Sequence, residues 1–352
     1  MSGSGKHLSI LRRRGLIWLT AAVGGLLLLE GVVRLSGAAA RHVYDPIYRP
    51  SGSPGVVYEH RPGARGLARS STRVRINGAG LRADREYARR KPAGTTRVVL
   101  LGDSVTFGQG VSLGQSYPTV LERELLPPLV HGQRVEVLNF GVSGYNIDNM
   151  VATFGQRALP FEPDVAVLAL VSDDLSLTRA LTADDSGYTH NALTPSPPGP
   201  IKRFLRRFHL SYWLRDRWWA LTGGGRTGLD AVEDPEAGRH AETWARAREA
   251  LQRFAADAHA AGATPIVAYL HFRERASARR LAALAADSGL RFVGSWTAVG
   301  EDASGLIIPG DGHPSAAGHR VHARALAPVI AEQLSSRRSR AIGARIENDA
   351  RR

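Results

Sequence analysis

Five short apolar runs recur along the chain from residue 97 onward, and stretches with the period of a helix separate them. Because the runs show no polar alternation, they are typical of strands buried on both faces of a parallel sheet. The predicted strands are 97–101, 135–140, 164–170, 264–270 and 290–293. The alternation predicts an α/β domain whose functional site lies at the carboxyl ends of the strands.

Helices are expected between these strands and after the last one. The predicted helices are 116–126, 146–159, 240–261, 273–286 and a final one from Pro314 to about residue 334. The basic tail that follows, residues 335–352, holds few apolar residues, and we expect it to be disordered.

The segment before the sheet has a different character. Residues 36–95 are rich in Gly, Pro, Arg and Tyr, with strand-like pieces at 56–58 and 73–76 and turn signals such as Asn77-Gly78. We expect a lead-in segment that packs on the main domain. The predicted division of the chain is a basic N-terminal segment at 1–14, a membrane-spanning segment at 15–35, the lead-in segment at 36–95, the main domain at 96–334 with an insertion at about 175–241, and a basic tail at 335–352.

An apolar run at residues 15–33 is about as long as a helix that crosses a bilayer. Its one charge, Glu30, lies near the far end, where it could reach the interface. Basic residues at 12–14 precede the run and predict that the N-terminus stays inside, so the rest of the chain lies outside the cytoplasm. Small residues at 36–40 leave a cleaved signal peptide open, and the protein would then be secreted. We favour a retained single-pass anchor over that alternative and over a buried core helix.

The insertion contains a basic, aromatic stretch at residues 201–221. In a single helix, one face would hold Ile201, Phe204, Leu205, Phe208 and Tyr212, and the neighbouring basic side chains would be displaced from it. Such a helix could be a lid over the site or could lie on anionic lipid. We favour a third interpretation, in which it docks on the sheet with a solvated basic face.

Composition narrows the possible chemistry. The chain has no cysteine, which excludes thiol catalysis, thiolate metal sites and disulfides. The formal net charge is +14, which raises the question of nucleic acid or anionic lipid. The arginines are scattered and no zinc-finger or RNA-recognition pattern is present, so we expect no nucleic-acid partner.

Two chemical groups stand at predicted strand ends. Ser104 follows the first strand in Gly-Asp-Ser, where backbone N–H groups of the next turn favour a developing oxyanion. A serine hydroxyl needs a base, and His313 follows the fifth strand. Asp311 precedes that histidine by two residues, and in an extended segment both side chains project to one side. Asp311 could therefore hold the imidazole in the tautomer that leaves Nε2 free.

Other polar residues are weaker candidates for the functional site. His271 follows the fourth strand and could line the site, whereas His319 and His322 lie on the final helix, where they pack or face solvent. Asp173-Asp174 resembles a metal-binding pair, but no histidine cluster at ligand spacing accompanies it. We expect neither a metal nor another cofactor.

Three blocks of sequence resemble the SGNH/GDSL hydrolase family. They are GDSVTFG at 102–108, NFGVSGYN at 139–146 and DGHPSAAGH at 311–319, and the resemblance covers about residues 74–334. The upstream INGAGLRADREY is similar to the lead-in of membrane-anchored bacterial members.

The resemblance implies a three-layer αβα, flavodoxin-like fold and ester hydrolysis or acyl transfer. It implies Ser104 as the nucleophile and an oxyanion N–H donor, with Gly144 as a second donor because a Cβ there would crowd the oxyanion. It implies His313 as the base and Asp311 as the residue that orients it.

The chain departs from the family pattern at two points. Asp173 stands where the family has an asparagine whose amide donates to the oxyanion, and an ionised carboxylate cannot donate. Either Asp173 is protonated, or Ser172 or a water substitutes, or the enzyme is slow. In addition, one residue separates Asp311 from His313, whereas many members have two.

Three functions stay open at this point. The first is an anchored serine esterase that acts outside the cytoplasm on an acylated carbohydrate, a lipid or another small ester. The second is an O-acyltransferase that modifies a cell-surface polysaccharide with the same serine. The third, which Asp173 motivates, is a catalytically weak protein of this fold that binds glycan or lipid. The sequence does not determine the oligomeric state.

Overall fold

The structure is a computed structural model that describes residues 4–40, 43–70, 72–130, 133–175, 181–192, 196–221 and 240–350. The strands are β1 (Tyr48–Pro50), β2 (Tyr58–His60), β3 (Arg65–Ala68), β4 (Thr72–Arg75), β5 (Thr95–Gly102), β6 (Arg134–Gly141), β7 (Val165–Leu170), β8 (Leu181–Ala183), β9 (Thr189–Asn191), β10 (Thr264–Tyr269) and β11 (Arg291–Gly294). The helices are α1 (Ser4–Ser36), α2 (Ser104–Phe107), α3 (Tyr117–Val120), α4 (Ile147–Thr153), α5 (Gly199–Leu205), α6 (His209–Leu221), α7 (His240–Ala260), α8 (Ala276–Asp287) and α9 (Ala316–Ala350).

Within these residues the central sheet has five parallel strands in the order β11-β10-β7-β5-β6. In chain order this is 2-1-3-4-5, the flavodoxin-like arrangement. The direction of winding reverses between β5 and β7, so the connections leaving these two strands diverge. A crevice opens at such a point, and ligands of this fold class bind there. The five predicted strands and the predicted fold class are confirmed.

Helices cover the sheet on both faces. Val99 and Leu101 of β5 pack in a cluster with α4, α7 and α8, while Val98 and Leu100 pack in a second cluster with α3 and α9. All eight residues of β5 are buried, since successive side chains of a strand point to opposite faces and both faces are covered. The result is the three-layer αβα fold.

The lead-in segment contains two antiparallel hairpins, β1–β2 and β3–β4, and packs on this domain. Tyr44, Ile47 and Tyr58 belong to the same buried cluster as Val99 and Leu101 of the central sheet.

Two helical predictions were wrong. The tail predicted to be disordered continues α9 as far as Ala350. Arginine and alanine have high helix propensity. In addition, Arg337 forms an ion pair, at 3.5 Å, with Asp164, which directly precedes β7. The predicted single helix at 201–221 breaks at residues 206–208, so that Tyr212 is buried while Ile201 and Phe204 are exposed. Therefore this segment does not dock on the sheet by a single apolar face.

Helix α1 contains a stretch, Arg12–Ser36, of 25 residues with a mean hydropathy of 2.1 in its most apolar window. By length and composition it can cross a membrane, and only 11% of that window is buried against the rest of the protein.

A buried ion pair at the base of the sheet generates a prediction about stability. Arg97 is fully buried and donates two hydrogen bonds to Glu136 Oε2, at 3.0 and 2.6 Å. Replacing Glu136 by leucine leaves the guanidinium buried without its counterion, which costs about 3–5 kcal/mol. We expect urea unfolding of Glu136→Leu to show this loss. The double variant Arg97→Met/Glu136→Leu should recover most of it, and equal instability of the two variants would contradict the explanation.

Candidate active site

Ser104 lies at the carboxyl end of β5, at the start of α2. The side chain of Asp103 caps this helix by accepting a hydrogen bond from the backbone N–H of Val105 at 2.8 Å. Gly102 permits the tight turn, since a Cβ there would lie 1.9 Å from Thr106 Oγ1. The strand end and the cap together fix the position of the Ser104 backbone, and the residue is 6% exposed.

His313 and Asp311 reach Ser104 from a loop near the end of the chain. His313 Nε2 lies 2.9 Å from Ser104 Oγ, and His313 Nδ1 lies 2.5 Å from Asp311 Oδ1. The loop folds back on itself through a hydrogen bond from the Ile308 N–H to the His313 carbonyl at 2.8 Å. The single intervening residue, Gly312 at φ +90°, turns the chain so that both side chains share one side. The structure thus joins the three predicted residues in one hydrogen-bonded chain.

The charge on Asp311 follows from its surroundings. Burial alone would raise the pKa of this carboxyl, but hydrogen bonds from His313 and Ser70 outweigh burial and lower the pKa to about 2. An ionised Asp311 keeps a proton on His313 Nδ1, so Nε2 can accept the proton of the Ser104 hydroxyl. The same hydroxyl is 3.0 Å from Asp103 Oδ2, which offers it a second acceptor.

Gly144 lies in the loop after β6, which borders β5. The Val142 N–H donates to the Gly102 carbonyl at 3.0 Å, and Tyr58 Oη donates to the Ser143 carbonyl at 2.7 Å. Gly144 has φ +89°, and a Cβ would come within 2.4 Å of Leu181 Cδ1. A side chain here is therefore disfavoured by backbone conformation and by Leu181, which is a different reason from the predicted crowding of an oxyanion.

Asp173 lies on the turn after β7, at the same edge of the sheet as Ser104, and is partly exposed. Its neighbour Asp174 is buried and accepts the Val171 N–H at 2.8 Å. The Ser172 hydroxyl lies 2.6 Å from Tyr269 Oη on β10, the strand that flanks β7 on the side away from β5. This geometry argues against Ser172 as the substitute for the missing amide.

Ser70 was missed by the sequence analysis. Its hydroxyl donates to Asp311 Oδ2 at 2.5 Å, so the hydrogen-bonded chain runs from Ser104 through His313 and Asp311 to the lead-in segment. Ser70 has φ +62°, a left-handed conformation that residues other than glycine rarely adopt. No motif or spacing marks this serine, because only the packing of β3 and β4 against the loop of Asp311 brings it there.

Two further polar side chains support the site. Gln109 Nε2 lies 3.3 Å from Ser70 Oγ and 3.4 Å from His313 Nδ1, and its Oε1 accepts from Ser143 at 3.2 Å. Arg82 is buried and donates to the carbonyls of Phe107, the last residue of α2, and of Val111, at 2.8 and 2.7 Å. Arg82 belongs to the INGAGLRADREY block, which was the available signal.

The other histidines do not join the site. His319 and His322 are fully buried, and desolvation lowers the pKa of His319 to about 3. His271 pairs instead with the backbone of Arg273, at 2.9 Å. Among the described residues, no group of three or more His, Asp or Glu side chains is arranged to hold a metal ion.

A sequence model of the GDSL-like lipase/acylhydrolase family matches residues 100–321, which include Ser104 and His313. The chain belongs to this family. It is therefore a hydrolase of ester bonds, and the family resemblance of its three blocks is confirmed.

The comparison with solved structures finds proteins that are distant in sequence. One is a lipolytic protein of the G-D-S-L family from Desulfitobacterium hafniense DCB-2, with 16% identity and a TM-score of 0.38, covering 66% of this chain and 99% of the other. A lipase/acylhydrolase from Enterococcus faecalis has 14% identity and a TM-score of 0.40, covering 68% and 96%. An acetylxylan esterase from Geobacillus stearothermophilus has 15% identity and a TM-score of 0.38, covering 66% and 92%. Among curated proteins, none matches the chain.

The contact of Ser70 with Asp311 leads to a prediction that distinguishes the role of the Ser70 hydroxyl from that of the left-handed Ser70 backbone. Ser70→Ala removes a hydrogen bond to a charged group, which is worth about 1.5–3 kcal/mol, so we expect ester turnover to fall roughly 10- to 100-fold. Because the pKa of Asp311 is lowered in the folded protein, its charged form adds to the free energy of unfolding at pH values above the ordinary aspartate pKa. This contribution is lost as the pH falls through about 2. In Ser70→Ala that pKa rises, so acid destabilisation, followed by melting temperature, should begin at higher pH.

Ser70→Gly serves as the matched control, since glycine accepts the left-handed backbone but also lacks the hydroxyl. Equal loss of activity in both variants is the expected result. Full activity in Ser70→Gly would show that the hydroxyl has no role.

Proposed function

We propose that the protein is a serine esterase in which Ser104 is the nucleophile, His313 the base and Asp311 the group that orients it. The observation that carries this proposal is the continuous chain of hydrogen bonds from Ser104 Oγ through the imidazole to the Asp311 carboxylate. Backbone N–H groups of Ser104 and Gly144 are the proposed oxyanion donors.

The reaction proceeds by two acyl transfers. His313 Nε2 takes the proton from Ser104 Oγ as this oxygen attacks the ester carbonyl, and Asp311 stabilises the resulting imidazolium. The tetrahedral intermediate collapses, and His313 returns the proton to the departing alcohol. Water then attacks the acyl-serine with His313 as base, which releases the carboxylic acid and restores Ser104.

The proposed location is outside the cytoplasm, on a membrane that α1 crosses once. Support comes from the length and apolar character of Arg12–Ser36 and from the three arginines at its start. The proposed catalytic domain spans about residues 96–334. An acylated carbohydrate or another ester at the cell surface is the proposed substrate class, and an accepting sugar hydroxyl in place of water would make the same site an acyltransferase.

Serine reactivity tests the nucleophile without knowledge of the substrate. We expect the full-length protein in detergent to be labelled by a fluorophosphonate probe and to hydrolyse p-nitrophenyl acetate. Ser104→Ala should abolish labelling, and His313→Ala should lower turnover at least about 10³-fold. Ser304→Ala, which removes an exposed hydroxyl, is the matched control and should leave both unchanged. Wild-type labelling rates in Ser104→Ala would overturn the proposal.

Asp173 provides a second test, because it stands where an amide donor is expected. Restoring that donor with Asp173→Asn should increase kcat, and the effect of one oxyanion donor in other enzymes sets a ceiling of about 10²- to 10³-fold. Asp185→Asn removes an exposed carboxylate elsewhere and is the control for the change in charge. A loss of activity specific to Asp173→Asn would mean that the carboxylate has a role of its own, and a sugar acceptor added to the assay then tests for acyl transfer.

A further inference from the structure

The end of α1 is attached to the insertion by the one charged side chain within its apolar run. Glu30 is 8% exposed, and its carboxylate accepts hydrogen bonds from the backbone N–H groups of His209 at 3.0 Å and Leu210 at 2.7 Å. These groups belong to the first turn of α6, where N–H groups have no partner inside the helix. The negative charge also complements the positive end of the helix dipole. Glu30 therefore caps α6 from another part of the chain.

A second contact lies one helical turn further along α1. Arg34 hydrogen bonds to Glu30 and also donates to the Arg207 carbonyl at 2.7 Å, in the connection between α5 and α6. A signal peptide removed after residues 36–40 would take both contacts away and leave the start of α6 without its cap. The contacts thus favour α1 as a retained part of the folded protein.

The position of Glu30 along α1 sets the depth of this attachment. A hydrocarbon layer of about 30 Å needs about 20 helical residues. Counted from Arg14, the far boundary falls near Arg34, and Glu30 lies about 6 Å inside it for a helix along the membrane normal. A carboxylate at that depth needs partners, which α6 supplies. The start of α6 consequently lies at the boundary of the bilayer.

Helices α5 and α6 expose apolar side chains around this attachment. The exposed fractions are 51% for Ile201, 57% for Phe204, 41% for Leu205, 51% for Leu214, 66% for Trp218 and 85% for Leu221. Exposed arginines at positions 203, 207 and 217 accompany them. Large apolar groups mixed with arginine are characteristic of helices that lie in the headgroup region of an anionic membrane.

We propose that α5 and α6 lie in the interface of the membrane that α1 crosses, with anionic lipid as the partner. This inference rests on the proposed anchoring of the chain. The Glu30 cap fixes the angle between α1 and the catalytic domain, so this domain lies against the bilayer rather than at the end of a flexible linker. We call α5 and α6 together, residues 199–205 and 209–221, the membrane seat. The seat also connects to the lead-in segment, since Tyr212 of α6 donates to the Tyr44 carbonyl at 3.3 Å.

Site-directed spin labelling tests the seat directly, because the absence of native cysteine makes each introduced cysteine unique. Full-length Phe204→Cys and Trp218→Cys variants are labelled with a nitroxide in vesicles of equal parts phosphatidylcholine and phosphatidylglycerol. Collision rates with oxygen and with a water-soluble nickel complex then report depth. Leu129→Cys, at an exposed leucine of the catalytic domain, is the matched control.

We expect labels at 204 and 218 to favour oxygen over nickel at least several-fold more than the label at 129. In vesicles of phosphatidylcholine alone, and in Glu30→Ala, both labels should shift toward the aqueous value. Aqueous values at 204 and 218 equal to those at 129 would overturn the seat.

A label at Leu19→Cys, near the middle of α1, separates this failure from failure of anchoring. A lipid value at 19 with aqueous values at 204 and 218 overturns the seat but retains the anchor. An aqueous value at 19 overturns both, while fluorophosphonate labelling of Ser104 reports the esterase independently.

Discussion

The hydrogen bond between Ser104 and His313 joins residues 209 positions apart, and the proposed chemistry depends on the sheet that brings them together. Strand β5 lies between β6 and β7, where the winding of the sheet reverses, and this is the point at which ligands of this fold class bind. Ser104 follows the carboxyl end of β5, and the loop before α9 brings His313 to it. A shift of either element by about 1 Å would lengthen the distance between His313 Nε2 and Ser104 Oγ, which is 2.9 Å, beyond that of a hydrogen bond.

The hydrogen-bonded chain of Ser104, His313 and Asp311 does not end within the αβα domain. Ser70 donates a hydrogen bond to Asp311, Arg82 donates to the Phe107 carbonyl at the end of α2, and Tyr58 donates to the Ser143 carbonyl in the loop of Gly144. All three come from the lead-in segment, which precedes the residues matched by the family. In this hydrolase the lead-in segment is thus part of the proposed active site. Its attachment to α6 links the site to the proposed membrane seat.

Asp173 and Asp311 show how similar carboxyl groups acquire different tasks. Asp311 accepts hydrogen bonds from His313 and Ser70, which lower its pKa to about 2 and keep it charged. In the proposed site, Asp173 stands where the family pattern has an amide donor, and a charged carboxylate cannot donate. Because the Ser172 hydroxyl is directed toward β10, substitution by Ser172 is disfavoured.

The sequence by itself determined the five buried strands, the flavodoxin-like fold and the three residues of the hydrogen-bonded chain, because apolar periodicity and local motifs encode them. It did not determine Ser70, whose role depends on a contact across 241 positions without a motif. The prediction of a single helix with one apolar face at residues 201–221 was also wrong, because the segment forms two helices. Only the tertiary structure decided that α6 begins where Glu30 can cap it, since partners for unpaired backbone groups are set by packing rather than by periodicity.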